Sequence, residues 1–247
     1  MQVLTLCNEK GGTAKTTTAV NLAHGIALQG KRVLLVDLDP QGQGATLLGL
    51  DQEPGVFDLL IADKTADQVI RATGRDNLFI IPGNKRTLTA LKVIAAEGRA
   101  IDYLQARLKG MQYDYLIFDT APSINDLTGM ALYMSDYYLI PSACDFLSSE
   151  GVFKILELIK ELQSKPGWHA ELLAIIPTFY DQVSKESKAN IEDLKKHFGD
   201  KVLDPIHRAT VLREAPAFGK TIFEYSKSSR AAEEYQALVN YVLEVMK

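Results

Sequence analysis

Asn8-Glu9-Lys10-Gly11-Gly12-Thr13-Ala14-Lys15-Thr16-Thr17 is the stretch whose reading decides the fold. Ahead of it, Val3-Leu4-Thr5-Leu6-Cys7 is a short apolar run with the pattern of a buried strand. Behind it, from Thr16 to Gln29, Ala19, Val20, Leu22, Ala23, Ile26 and Ala27 recur at helical spacing, and Gly30 stands where a helix C-cap is expected. Strand, glycine-bearing loop and helix N-terminus make a phosphate site, because free N–H groups and the positive helix end converge on one point. Lys15 is then placed to reach the β- and γ-phosphates of a nucleotide, and Thr16 to hold Mg²⁺.

The common form of this loop, G-x-x-x-x-G-K-[ST], is not met, since its outer glycine positions hold Glu9 and Ala14. The stretch fits K-G-G-x-x-K-[ST] instead, with Lys10 just ahead of the glycine pair. That pattern resembles the deviant Walker A loop of the ParA/MinD family of ATPases. The resemblance implies a single P-loop NTPase domain that takes ATP and Mg²⁺. Lys10, Gly11, Gly12, Thr13, Ala14, Lys15, Thr16 and Thr17 then surround the nucleotide. It also implies that Lys10 reaches across a dimer interface to the partner's nucleotide. Ala14, where the family usually has glycine, puts a methyl group in the phosphate loop and is expected to slow hydrolysis.

Lys31-Arg32-Val33-Leu34-Leu35-Val36 reads as a second strand, delivering Asp37-Leu38-Asp39-Pro40-Gln41-Gly42 to the ligand edge of a sheet. An aspartate there can orient an attacking or metal-bound water, or it can simply cap the next helix through an Asp-Pro turn. The segment resembles the switch region of ParA-type ATPases, which implies that Asp39 positions the water near the metal with support from Asp37. Tyr113 to Pro122 is an apolar strand ending in Asp119, the placement a Walker B carboxylate needs beside Mg²⁺. The family usually reads D-T-P-P here, and this chain has Asp119-Thr120-Ala121-Pro122. The expected metal set is Thr16, Asp119 and Asp39.

Asn77 to Pro82, Tyr137 to Pro141 and Leu172 to Thr178 read as further strands, with helices over Lys85 to Leu108 and Gly151 to Leu162. This alternation predicts an α/β fold, a mostly parallel twisted sheet with helices on both faces, in one domain spanning 1–247 without internal repeat or linker. By resemblance, Thr178 joins the nucleotide contacts. A net charge of −4 implies no chain-wide attraction to nucleic acid or anionic lipid, so any such binding needs a local patch. Two cysteines without metal-ligand spacing, Cys7 and Cys144, read as buried free thiols. With no signal peptide and no apolar run near the ~20 residues of a membrane span, the expected location is the cytoplasm.

From Asp181 to Arg230 the balance turns basic, with ten Lys/Arg against eight Asp/Glu. This is either a phosphate-contacting face that reads no bases or an ordinary solvated face. Leu212 to Ile222 resembles the E-A-P-x-x-G-K-x-I stretch of Soj-like partition ATPases. The implied function is an ATP-sandwich homodimer that binds nucleoid DNA non-specifically and is released by a ParB-like activating partner. Its cargo would be a plasmid, a chromosome origin or a protein assembly. Lys195, Lys196, Arg208 and Arg213 are the DNA candidates. The family's I-P-R-N reads Ile206-His207-Arg208-Ala209 here, bordering the adenine pocket, so base contacts are expected to differ.

Ala231 to Met246 carries Glu233, Glu234 and Glu244 on its polar side, which reads as a core helix rather than a membrane anchor. Three other readings remain. A MinD-like membrane-surface ATPase is opposed by that acidic helix. An iron–sulfur ATPase is opposed by the lack of cysteine between Thr120 and Gly129. An ATP-binding scaffold with little hydrolysis is motivated by Ala14 and His207. No helix-turn-helix extension precedes the first strand, so sequence-specific autorepression is not expected.

Overall fold

The computed structural model describes residues 1–145 and 148–247. The first half of the chain runs β1 (Gln2–Leu6), α1 (Lys15–Ala27), β2 (Val33–Asp37), α2 (Gln43–Leu47), α3 (Val56–Leu60), α4 (Ala66–Val69), β3 (Arg71–Ala72), β4 (Leu78–Ile81), α5 (Thr87–Glu97) and α6 (Tyr103–Arg107). The second half runs β5 (Tyr115–Asp119), α7 (Asp126–Tyr133), β6 (Tyr137–Ala143), α8 (Ser148–Leu162), β7 (Glu171–Thr178), α9 (Lys185–Phe198), α10 (Val211–Glu214), α11 (Ile222–Tyr225) and α12 (Arg230–Val245). The strands form one sheet in the order β3-β4-β2-β5-β1-β6-β7. Every pairing is parallel except that of β3 with β4.

Side chains alternate across this sheet with the two-residue period of a strand. Leu4, Leu35 and Ile117 face a core closed by Tyr235 and Val239 of α12. Val3, Leu34, Val36, Leu116 and Phe118 face the other core, closed by Leu59, Ile94, Leu127 and Met130. Both faces are covered, which is why the strands read as unbroken apolar runs. α1 leaves β1 toward β2, whereas α7 leaves β5 toward β6 on the opposite side. The crevice outside the ends of β1 and β5 is therefore the topological switch point, the usual place for a ligand in an open parallel sheet.

Some expected boundaries move. α1 ends at Ala27 with Leu28 as its cap, and Gly30, at φ 79°, closes the turn beyond by donating its N–H to the Ala27 carbonyl at 2.9 Å. α8 begins at Ser148, before its apolar periodicity starts. The antiparallel edge strand β3, two residues long, is too short to carry an alternation signal. α12 buries Ala231, Ala232, Tyr235, Leu238, Val239 and Val242, so its apolar side is spent on the core. Among the described residues no helix is long and apolar enough to cross a membrane.

α1 and α12 meet over Gly25, where an added Cβ would stand 2.4 Å from a Val239 methyl and 3.0 Å from the Phe223 ring. Gly25→Ala is accordingly expected to destabilise the chain by roughly 1–3 kcal/mol, the usual range for overpacking a filled core. Urea unfolding with an unchanged m-value checks it.

Candidate nucleotide site

The loop from Cys7 to Ala14 is held in place by its own polar side chains. Asn8, 1 % exposed, donates its amide to the Pro141 carbonyl of β6 at 2.8 Å and accepts the Lys10 N–H at 2.9 Å. The Thr178 hydroxyl at the end of β7 donates to the Thr13 carbonyl at 3.1 Å, and Thr120 donates to the Leu6 carbonyl at 2.9 Å. Gly12 takes φ 73° and Ala14 takes φ 63°, immediately before the first residue of α1. A left-handed conformation is free for glycine but costs an alanine about 1–2 kcal/mol, so the sequence substitution at 14 is a strained one. Lys15 is buried and spans the loop to donate to the Lys10 carbonyl at 3.1 Å. Burial lowers its pKa, against the pull of Asp119. Lys10 turns toward its own chain and forms an ion pair with Asp145 just after β6.

The carboxylates come from adjacent strand ends. Leu6 pairs with Asp119, and Asp119 pairs with Asp37, so the ends of β1, β5 and β2 lie side by side. Asp37 is fully buried; it accepts the Asp39 N–H and the Gly44 N–H, both at 2.9 Å. It therefore shapes the loop that carries Asp39 and starts α2, a positioning role. Asp39 accepts the Gln41 N–H at 2.8 Å and is near enough to Lys15, Asp37 and Asp119 to act on their charges.

Asp119 is fully buried, and among the described residues neither of its oxygens closes a hydrogen bond of normal geometry. Burial pushes its pKa up, opposed by the neighbouring Thr16 hydroxyl and the Lys15 ammonium. Asp37 is pushed up by burial and by the Asp119 charge, opposed by its two N–H donors. An orphaned buried carboxylate is unfavourable until a cation or a proton arrives. With the Thr16 hydroxyl beside it, the pair offers the hard oxygen donors that suit Mg²⁺.

Beside the start of α1 opens a cleft of about 510 Å³, with Ala14, Thr17, Phe179 and Tyr235 among its walls and Arg208 and Arg213 at its rim. Ile206 sits here with its backbone committed: its N–H donates to Pro177 and its carbonyl accepts from Tyr180. His207 has both ring nitrogens engaged, Nδ1 with Glu234 at 2.6 Å and Nε2 with Arg230 at 2.5 Å. A guanidinium only donates, so Nε2 accepts and Nδ1–H is the donor to Glu234. A base entering the cleft would find backbone and the Phe179 ring rather than a free imidazole.

Arg208 and Arg213 are brought together at this cleft, whereas Lys195 and Lys196 lie in the exposed last turn of α9. The four candidate basic residues thus fall in two separate places, α9 and the cleft, with Arg213 on α10 and Arg208 in the loop before it. Sequence reasoning missed Asn8, Asp145, Phe179 and Tyr235. Isolated residues of these types carry no spacing signal; Asn8 lies within the loop, and only the fold brings the other three beside it.

A glycine-bearing loop between a parallel strand and a helix, with a buried lysine inside it and a strand-ending aspartate alongside, defines a P-loop nucleoside triphosphatase. The family model described as an AAA domain matches residues 1–173. The chain is 37 % identical over 98 % of its length, and 98 % of the relative's, to the sporulation initiation inhibitor protein Soj of Bacillus subtilis. It is 31 % identical to the chromosome partitioning protein ParA of Caulobacter vibrioides, covering 98 % of this chain and 94 % of that one. Among solved structures, a cobyrinic acid a,c-diamide synthase from Mycobacterium smegmatis with a bound ATP analogue and magnesium is 28 % identical. It superposes with a TM-score of 0.86 over 100 % of this chain and 96 % of that one. The chain belongs to the ParA/Soj family of partition ATPases.

Asp119→Asn removes a buried charge that Thr16 and Lys15 offset only in part. The expected outcome is a nucleotide-free protein that melts a few degrees higher, at roughly 2–4 °C per kcal/mol for a chain of this size, and gains nothing from Mg²⁺. The pH dependence has a defined sign. A carboxylate whose folded pKa is raised binds its proton first in the folded state. The wild type is therefore penalised at neutral pH and recovers as pH falls toward the unfolded value near ~4. The difference between wild-type and variant melting temperatures should shrink on acidification, which thermal melts across pH measure.

Proposed function

We propose that this chain is an ATP-dependent dimerising ATPase. Mg·ATP is sandwiched between two subunits, the ATP-bound dimer binds DNA non-specifically, and a ParB-like or cargo-bound partner stimulates slow hydrolysis and release. The observation that carries the nucleotide half is the convergence of Lys15, Thr16 and the unsatisfied Asp119 at the switch point of the sheet. Membership of a partition family supports the positioning half. Lys15 and the loop amides neutralise phosphate charge, Thr16 and Asp119 hold Mg²⁺, and Asp39 places the attacking water on a loop shaped by Asp37. The 510 Å³ cleft takes the nucleoside, against Thr17, Phe179 and the backbone at Ile206, His207 and Arg208. Lys10 leaves Asp145 to complete the partner's site, and Thr178 braces the loop. Arg208, Arg213, Lys195 and Lys196 provide sequence-independent phosphate contacts.

The decisive experiment is binding to a non-specific duplex without nucleotide, with ADP and with ATP·Mg²⁺, at two salt concentrations. Tight, salt-sensitive binding with ATP alone is the expected result, and no binding in any state removes DNA from the function. Lys15→Ala should lower ATP affinity by about tenfold to a hundredfold, since a hydrogen bond to a charged group is worth ~1.5–3 kcal/mol. Retained affinity in a titration would remove Lys15 from the site. Asp39→Ala should still dimerise with ATP but remain trapped. Light scattering together with phosphate release reads both, and wild-type hydrolysis would take Asp39 out of the mechanism.

A further inference from the structure

Arg75 lies in the turn between β3 and β4, far from the phosphate loop in sequence, yet its side chain is only 9 % exposed. Its guanidinium joins the end of α2, the turn at Gly219 and α11. Nη1 donates to the Leu48 carbonyl at 3.2 Å, at the end of α2, and Nη2 donates to the Gly219 carbonyl at 2.7 Å. Nε and Nη2 both donate to Glu224 of α11, at 2.9 and 2.8 Å. Next to this junction two backbones touch without side chains between them. A Cβ built on Gly219 would stand 2.8 Å from the Gly49 Cα, and one on Gly49 would stand 3.3 Å from the Gly219 Cα. No flexible side chain is there to absorb a displacement.

Each side of the junction leads to a different part of the proposed mechanism. α2 begins at Gln43, the N–H of its second residue, Gly44, is held by Asp37, and the intervening loop carries Asp39. Asp37 is the register partner of Asp119 across β2 and β5, so the start of α2 is tied directly to the strand ends that flank the nucleotide. On the other side, Gly219 ends the turn Ala215–Phe218, which continues directly from α10 and Arg213. α11 beyond it is fixed to α1, since Asn21 accepts the Ile222 N–H at 2.8 Å and His24 bonds the Thr221 hydroxyl at 2.6 Å. The turn from 215 to 219 is thus held twice at its C-terminal end, through Arg75 to the end of α2 and through Thr221 and Ile222 to α1.

We infer that Arg75, with the Gly49–Gly219 contact, is a positioning residue that ties the Asp39 loop to the Arg213 segment and passes the nucleotide state to the phosphate-contacting arginines. The inference rests on the function proposed above. A lysine cannot replace it, because one ammonium cannot span the Leu48 and Gly219 carbonyls and Glu224 in the geometry of a planar fork.

The test uses the full chain with Arg75→Lys, and Gly219→Ala as a second variant that breaks the backbone contact while leaving the guanidinium in place. Hydrogen exchange over residues 215–219 is compared between ADP and ATP·Mg²⁺, alongside ATP affinity, melting temperature and duplex binding. In the wild type, exchange of this turn should differ between the two nucleotides. In both variants that difference should vanish and the ATP-to-ADP ratio of DNA affinity should fall at least about tenfold, a typical coupling magnitude, while ATP affinity stays within about twofold. Three results overturn the inference: a wild-type turn indifferent to nucleotide, variants that keep the full difference, or variants whose ATP affinity falls in step with it. A wild type that binds no DNA overturns the proposed function instead, and the exchange measurement still decides the coupling.

Discussion

The register of three parallel strands is the constraint on which the rest of this molecule depends. With Leu6, Asp119 and Asp37 side by side at the ends of β1, β5 and β2, one buried lysine faces two buried carboxylates in a place that water does not reach. Burial moves each of the three from its ordinary pKa, and Coulomb interactions, only weakly screened there, add the influence of Asp119 on both Lys15 and Asp37. A one-residue slip of β5 would turn Asp119 to the wrong face and put Phe118 in its place. The apolar packing of both sheet faces fixes that register, which ties the chemistry to the core.

The phosphate loop is preorganised by the same architecture. Asn8 anchors it to β6, Thr178 anchors it from β7, and Thr120 anchors the end of β1 to the strand beyond. Four of the sheet's strand ends therefore support one loop, and its N–H groups need little reorganisation to meet a phosphate. α1 carries this rigidity outward. It is buried along almost its whole length and is bonded to α11 through Asn21 and His24. The Asp39 loop is different in kind. It is short, bounded by Gly42 in a left-handed conformation, and held by Asp37 and by Gln52, which donates to the Gln41 and Gly42 carbonyls, each at 3.0 Å. One loop is thus braced by strand ends, the other by two side chains, Asp37 and Gln52.

The strand–loop–helix around Lys15 was legible because its signal is local: an apolar run, a glycine pair, a lysine and an amphipathic helix within thirty residues. Asp119 was legible because an apolar strand ends on it. The strain at Ala14 was not, since the sequence names the residue but not its φ of 63°. Nor was the fate of His207, whose ring nitrogens are taken by residues 23 and 27 positions away. The basic stretch from Asp181 to Arg230 looked like one surface in the sequence, yet the fold assigns its candidate residues to α9 and to the cleft rim separately.

The sequence by itself determined the class of fold and the order of its first strand, glycine-bearing loop, helix and strand-ending aspartates. These follow from periodicity and from motifs whose parts are neighbours along the chain. The tertiary structure alone decided which residues brace the loop, that Lys10 rests on Asp145, that Asp119 is fully buried beside Thr16 and Lys15, and that Arg75 bridges Leu48 to Gly219. The physical reason is one of distance along the chain. Hydrogen bonds and buried charges join groups far apart along the chain, 165 residues for Thr178 and Thr13 and 201 for Asn21 and Ile222, and only burial tells which of many polar side chains has lost its water.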